Sequence, residues 1–249
     1  MNIAMHMSDG IVDARTSILF GAVAAAGLAL AAAMTRRDLD DRAAPMAGLV
    51  AAFVFAAQMV NFPVLPGVSG HLLGGALAAI LVGPWAGALC VAIVLVVQAL
   101  LFADGGLSAL GTNITNLALA GTAAGFLVAL ALRRYARRGG RWLFAVSFLA
   151  AVASTLAAAS SFVLQFAIGG SAPVGLATVA PAMLGVHALI GLGEGVITAL
   201  VVGSVAGARP DLVYLLGRRE SGALPEPAEP AEPVVPAEPA LPVVPPVPA

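Results

Sequence analysis

The residues best suited to chemistry in this chain are its histidines, and there are three of them. His6 follows Met5 near the N-terminus, and His71 closes a stretch containing Asn61, Pro63, Pro66, Gly67, Ser69 and Gly70. If the chain starts at Met5, then its amine, the deprotonated His6 amide nitrogen and the His6 imidazole can hold one metal through fused chelate rings. His71 can add a fourth nitrogen. Four nitrogens in a plane suit Ni(II) or Cu(II) and accept Co(II), whereas Zn(II) prefers a tetrahedron. Plainer readings stand beside this one. A histidine near a terminus is commonly a solvated side chain, and His71 also reads as a polar residue at a membrane interface satisfied by a neighbour.

Around these candidates lies a second set of polar residues. Gln58, Asn61, Ser69, Gln98, Asp104, Asn113 and Asn116 fall at the ends of apolar runs. Such residues can accept the second ring N–H of a metal-bound imidazole, or they can serve as caps and interhelical contacts. Asn113 reads as an N-cap opening a helix. His187 and Glu194 are seven residues apart, nearly two helical turns, so they share one face. They either shape the pocket or make a packing hydrogen bond; a buried glutamate at membrane depth usually faces the bundle interior. Cys90 is the single cysteine, so it can form neither an internal disulfide nor a thiolate cluster, and it reads as packing. No phosphate-binding loop with lysine, no His-Glu-x-x-His pair and no Gly-x-Ser-x-Gly elbow is present.

The elements that must position these residues are membrane spans. The chain is 60% hydrophobic and 10% charged, with a mean hydropathy of +0.99, against about 25% charged residues in a soluble domain. All basic side chains are arginine. No cleavable signal peptide is expected at the N-terminus. Charge-free windows predict one span in 16–35, three in 43–103 and one in 105–132, and the window 142–193 with its apolar continuation past Glu194 to 208 predicts two more, with a break at Gly169-Gly170-Ser171-Ala172-Pro173. The expected fold is an all-α membrane protein, a seven-span helical bundle. The third span, 71–82, is short, and it either crosses or is re-entrant.

Arginine placement favours crossing. If the third span crosses, the clusters Arg36/Arg37/Arg42, Arg133/Arg134/Arg137/Arg138/Arg141 and Arg209/Arg218/Arg219 share one side, which the positive-inside rule makes cytoplasmic. The N-terminus is then outside and the C-terminus cytoplasmic. The N-terminal peptide, the 61–71 loop, the 103–112 loop and the turn at Gly169 share the external side and can converge on one pocket. The expected divisions are an external metal-binding peptide at 1–15, the bundle at 16–208, a basic segment at 209–219 and a disordered Pro/Ala/Glu-rich tail at 220–249. The stripe Gly21, Ala25, Ala29 and Ala33 on the first span offers a close-approach face for another subunit.

Several long blocks together resemble the CbiM/NikM family, the substrate-binding membrane components of energy-coupling-factor transporters for cobalt and nickel. The blocks are Met5-His6 with Asp9-Gly10, QMVNFPVLPGVSGHLLGG from Gln58, LVGPWAGAL from Leu81, VQALLFADGGLSALGTNITN from Val97 and HALIGLGEGVIT from His187. The resemblance implies that Met5 contributes its amine, His6 its amide and ring nitrogens, and His71 the last nitrogen. It implies Co(II) or Ni(II) as the transported ion, no cofactor and no enzymatic activity of the chain's own. It also implies a transmembrane coupling protein, two ATPase subunits and a small accessory membrane protein as partners, in a bacterial or archaeal plasma membrane. No nucleic-acid partner is expected. Two departures stand out: residues 1–4 precede Met5, and Ser8 stands where the family commonly has proline.

Two rival readings come from other classes. One is a stand-alone secondary transporter or channel using Glu194 and Asp104. The other is an intramembrane metalloenzyme built on His6, His71 and His187, which lacks a general base beside its ligands.

Overall fold

The computed structural model describes residues 6–38, 43–59, 61–65 and 68–217; for 37, 38, 43, 61–65 and 68–70 it describes the backbone alone. Met5, Arg42, Pro66, Gly67, Arg218, Arg219 and the 220–249 tail lie outside the described residues, as do the side chains of Arg37, Asn61 and Ser69.

Nine α-helices and one two-stranded hairpin are described. They run α1 (Ala14–Asp38), α2 (Ala43–Gln58), β1 (Asn61–Leu65), β2 (Val68–His71), α3 (Gly75–Val82) and α4 (Pro84–Leu101). Then follow α5 (Leu110–Ile114), a π-helical turn (Thr115–Gly121), α6 (Thr122–Ala131), α7 (Arg133–Ala136), α8 (Gly140–Gly169) and α9 (Leu176–Ala208). Five helical stretches are long and apolar enough to cross a membrane: α1, α4, the continuous run Leu110–Ala131, α8 and α9. Their outward faces carry exposed leucines such as Leu30, Leu127, Leu189 and Leu200, as lipid contact requires.

Two of the seven expected spans are shorter than a crossing helix. The α2 helix has 16 residues, and α3 has 8. At 1.5 Å per residue α3 is about 12 Å long, against a hydrocarbon core of roughly 30 Å. It begins at Gly75, not at His71, because the preceding residues pair as a hairpin. There Asn61 lies opposite His71 and Pro63 opposite Ser69, with a bulge between Pro63 and Leu65. This hairpin is also the one departure from an all-helical chain among the described residues. Pairing satisfies backbone groups that proline and glycine exclude from a helix.

Short α3 is the hub of the interior. Its residues from Gly75 to Leu81 are all buried, and it packs on α2, α4, α6, α8 and α9. Gly83 and Pro84 then turn the chain, with Pro84 at the first helical position of α4, where a missing N–H costs nothing. The long α8 and α9 form an antiparallel hairpin whose connection falls at the predicted break.

The two ends of the bundle differ in charge. Arg133 Nε donates to the Leu215 carbonyl at 2.6 Å, so the arginines around α7 and the chain after α9 share one end. Arg134, Arg138 and Arg141 lie over the rings of Tyr135 and Trp142. At the far end of α8, the Asp13 N–H donates to the Gly169 carbonyl at 2.7 Å, and Val12 bridges Gly170. The N-terminal segment is therefore docked at the arginine-poor end.

Candidate metal centre

The N-terminal segment is held by the loop after α4 and by the start of α5. Asn113 grips the Met7 peptide from both sides: the Met7 N–H donates to Oδ1 and Nδ2 donates to the Met7 carbonyl, both at 3.1 Å. The Gly106 N–H donates to the same carbonyl at 2.9 Å, and the Ser108 N–H donates to Asp9 Oδ1 at 2.8 Å. Gly105 makes this close docking possible. Its φ is +86°, and a Cβ there would meet the His6 Cβ at 2.8 Å.

This docking brings His6 against Asp104. The His6 main-chain N–H donates to Asp104 Oδ1 at 3.3 Å, and His6 Nδ1 lies 3.2 Å from Asp104 Oδ2. Ala103, with φ at 51°, turns the chain after α4, and the Asp104 N–H returns to the Gln98 carbonyl at 3.1 Å. The two His6 atoms that a fused chelate uses, the main-chain nitrogen and Nδ1, thus face one carboxylate on one side of the residue.

His71 approaches from the hairpin. Its ring centre is 4.3 Å from that of His6, with the planes tilted by 57°. His71 Nδ1 donates to the Leu72 carbonyl at 2.8 Å, which leaves the lone pair on Nε2. With Nδ1 engaged in this way, Nε2 of the buried His71 ring is available to coordinate. Two imidazoles bound side by side to one ion at about 2 Å place their ring centres roughly 4–5 Å apart. Among the described residues no three His, Cys, Asp or Glu side chains form a complete metal cluster. An ion at this pair therefore needs further ligands from main-chain nitrogen, from the chain ahead of His6 or from water.

Beneath the two rings lies a cavity of about 40 Å³, lined among others by His6, His71, Asn113, Asn116, Met183 and His187. That is room for a few water molecules, since one needs roughly 10–15 Å³. His6 Nε2 is buried without a hydrogen-bond partner among the described residues. His187 Nδ1 donates to the Met183 carbonyl at 2.8 Å.

The remaining sequence candidates fall into place unevenly. Asp104 reaches an imidazole, but the acceptor for His71 is backbone, not one of the predicted polar side chains. Asn113 does not cap a helix: α5 starts at Leu110, and Asn113 lies inside it with its amide on Met7. Asn116 Nδ2 donates to Gln165 Oε1 at 3.1 Å. Gln98 is buried with neither amide atom bonded among the described residues, and Gln58 Nε2 donates to the Leu73 carbonyl at 2.8 Å. Glu194 and His187 share a face but do not pair; Glu194 turns instead to the backbone ahead of α3. Cys90 is buried and donates to the Ala47 carbonyl. Sequence reasoning missed Thr155, Gln165 and the Met7 peptide. Hydroxyls and amides on apolar helices often bond locally, as Thr155 does to the Ala151 carbonyl at 3.0 Å, so residue type alone gives no signal.

A family model described as "Cobalt uptake substrate-specific transmembrane region" matches residues 6–212. The chain is 41% identical over 209 residues to a putative fused nickel transport protein NikMN of Archaeoglobus fulgidus, covering 84% of this chain and 68% of that protein. It is 34% identical over 216 residues to the cobalt transport protein CbiM of Sorangium cellulosum, covering 84% and 94%. Among solved structures, a truncated transition metal transporter superposes with a TM-score of 0.71 at 30% identity, covering 82% of this chain and 99% of that one.

Proposed function

The chain belongs to the CbiM family of cobalt uptake transmembrane proteins, and from that premise we propose that it captures Co(II) or Ni(II) at the His6–His71 pair. It is a multi-pass membrane protein and the metal-uptake component of a transporter. The observation that carries the capture site is the approach of two buried imidazoles to 4.3 Å, with His71 Nδ1 held by a backbone carbonyl so that Nε2 is left to bind and the His6 main-chain nitrogen and Nδ1 turned to one side. Ring nitrogens oriented in this way suit borderline first-row ions. Met5 lies outside the described residues. As the chain's start it would supply an amine beside the His6 nitrogen, and the four donors would form a plane.

The ion enters from outside. Helix direction supports this orientation. The α1 helix leads from Asp13 at the arginine-poor end to Arg36 at the other, where the α7 arginines and Arg209 also lie. By the positive-inside rule that end is cytoplasmic and the N-terminal segment is external. The α2 and α3 helices complete seven segments, α3 being a short one buried inside the bundle.

ATP hydrolysis belongs to partners. The assembly in this reading contains a coupling membrane protein, two ATPase subunits and a small accessory component. The name of the fused relative NikMN supports the last of these. The exposed stripe Ala25, Ala29 and Ala33 on α1 is a face for the coupling protein. The test is uptake of radiolabelled cobalt and nickel by cells making the chain with and without the ATPase subunits. Uptake that requires them supports the assembly. Uptake that persists without them would make the chain a stand-alone transporter.

A further inference from the structure

We propose that Glu194 is a positioning residue for ion capture, fixing through the backbone the direction in which His71 presents Nε2. The proposal rests on the capture reading above. Glu194 is 2% exposed and sits on α9, yet its carboxylate serves the segment between His71 and α3. Oε2 accepts the Leu73 N–H at 2.8 Å and Oε1 accepts the Gly74 N–H at 2.9 Å. The Thr155 hydroxyl, 3.2 Å from Oε2, shares its one proton between that oxygen and the Ala151 carbonyl.

The same segment is held from its other side. Gln58 on α2 donates to the Leu73 carbonyl at 2.8 Å, and the Gly74 carbonyl accepts the first turn of α3 through the Ala78 N–H at 3.0 Å. Gly74 itself, with φ at +77°, has no room for a side chain, since a Cβ would meet Val54 at 2.7 Å. Leu72 is one peptide away from the clamped Leu73, and its carbonyl is the acceptor that orients His71. A shift of Leu73 therefore moves the acceptor and turns the ring. A carboxylate fits because both of its oxygens accept and neither carries a proton that would face an N–H.

The experiment uses the full chain in detergent and measures the Ni(II) dissociation constant, the X-ray absorption spectrum of the loaded protein and the thermal midpoint. Glu194→Gln turns an amide NH₂ toward one of the two N–H groups. It is expected to raise the dissociation constant roughly 10–100-fold, as loss of an outer partner of a metal ligand does, and to alter the spectrum at saturation. Val202→Ala, a buried packing change two turns further along α9, lowers the thermal midpoint and leaves the dissociation constant in place. If Glu194→Gln also lowers only the midpoint, the residue is a helix cap and the proposal fails. Should Glu194→Gln not fold, Gln58→Leu decides: a raised dissociation constant supports the clamp, and an unchanged one overturns it. Absence of Ni(II) and Co(II) binding by the wild-type chain would instead remove the capture reading itself.

Discussion

Asp104 spans two nitrogens of His6 at once, meeting the main-chain N–H through Oδ1 at 3.3 Å and Nδ1 through Oδ2 at 3.2 Å. A residue so near the start of the chain would otherwise sample many conformers. One carboxylate selects the conformer in which both chelating nitrogens face the same way. Pre-organisation of this kind reduces the ordering cost of binding.

Replacing Asp104 with Asn keeps the shape but removes the charge and one acceptor. Ion affinity should fall by up to about tenfold, the ordering cost of one side chain being roughly 0.5–1.5 kcal/mol, with the fold intact by circular dichroism. Equilibrium titration with Ni(II) and Co(II) checks this. Tighter binding by the variant would mean that the carboxylate competes with the ion for His6.

The Asn113 amide ties the N-terminal segment to the bundle through two hydrogen bonds to Met7. At about 1 kcal/mol each, their loss in Asn113→Ala should speed amide exchange in residues 6–12 by roughly thirtyfold. Protection in the middle of α8 should not change. Hydrogen exchange read by mass spectrometry separates the two regions. Equal loosening of both would indicate a general packing defect.

At the start of α1, Asp13 Oδ1 accepts the Thr16 N–H at 2.7 Å. Hydrogen bonds from Thr16 hold the carboxyl below its ordinary value of 3.8. A depressed carboxyl contributes stability above its unfolded value and loses it as pH falls through the folded one. Asp13→Asn keeps a capping oxygen that does not titrate. The thermal midpoint of the wild type should therefore drop relative to the variant as pH is taken from neutral to below 3.8. A constant difference across that range would show that the exposed carboxylate adds nothing to the cap.

Hydropathy alone located α1, α4, the Leu110–Ala131 run, α8 and α9, because in lipid a helix must be apolar over its whole length. It placed α3 as a short segment ending at Val82 but missed its start at Gly75. A buried eight-residue helix and a lipid-facing span are equally apolar, and proline and glycine mark broken backbone without saying that the break pairs as a hairpin. At the site, His6, His71 and Asp104 were legible as rare polar residues in an apolar chain. Glu194 was legible as buried, but its partners were not, since backbone N–H groups leave no trace in residue type. Asn113 was misplaced for a related reason: an asparagine ahead of an apolar run has the pattern of a cap, and only the docked Met7 peptide shows where its amide goes.

The central claim, one ion held by His6 and His71, is tested most directly by metal content and intact mass on a single sample of purified chain. Wild type and His71→Ala are each equilibrated with Ni(II) and with Co(II). The account predicts about one ion per wild-type chain, a mass that begins at Met5, and loss of the ion in His71→Ala, since that change removes a ring nitrogen and not merely an outer partner. A His71→Ala chain that still holds one ion would contradict it.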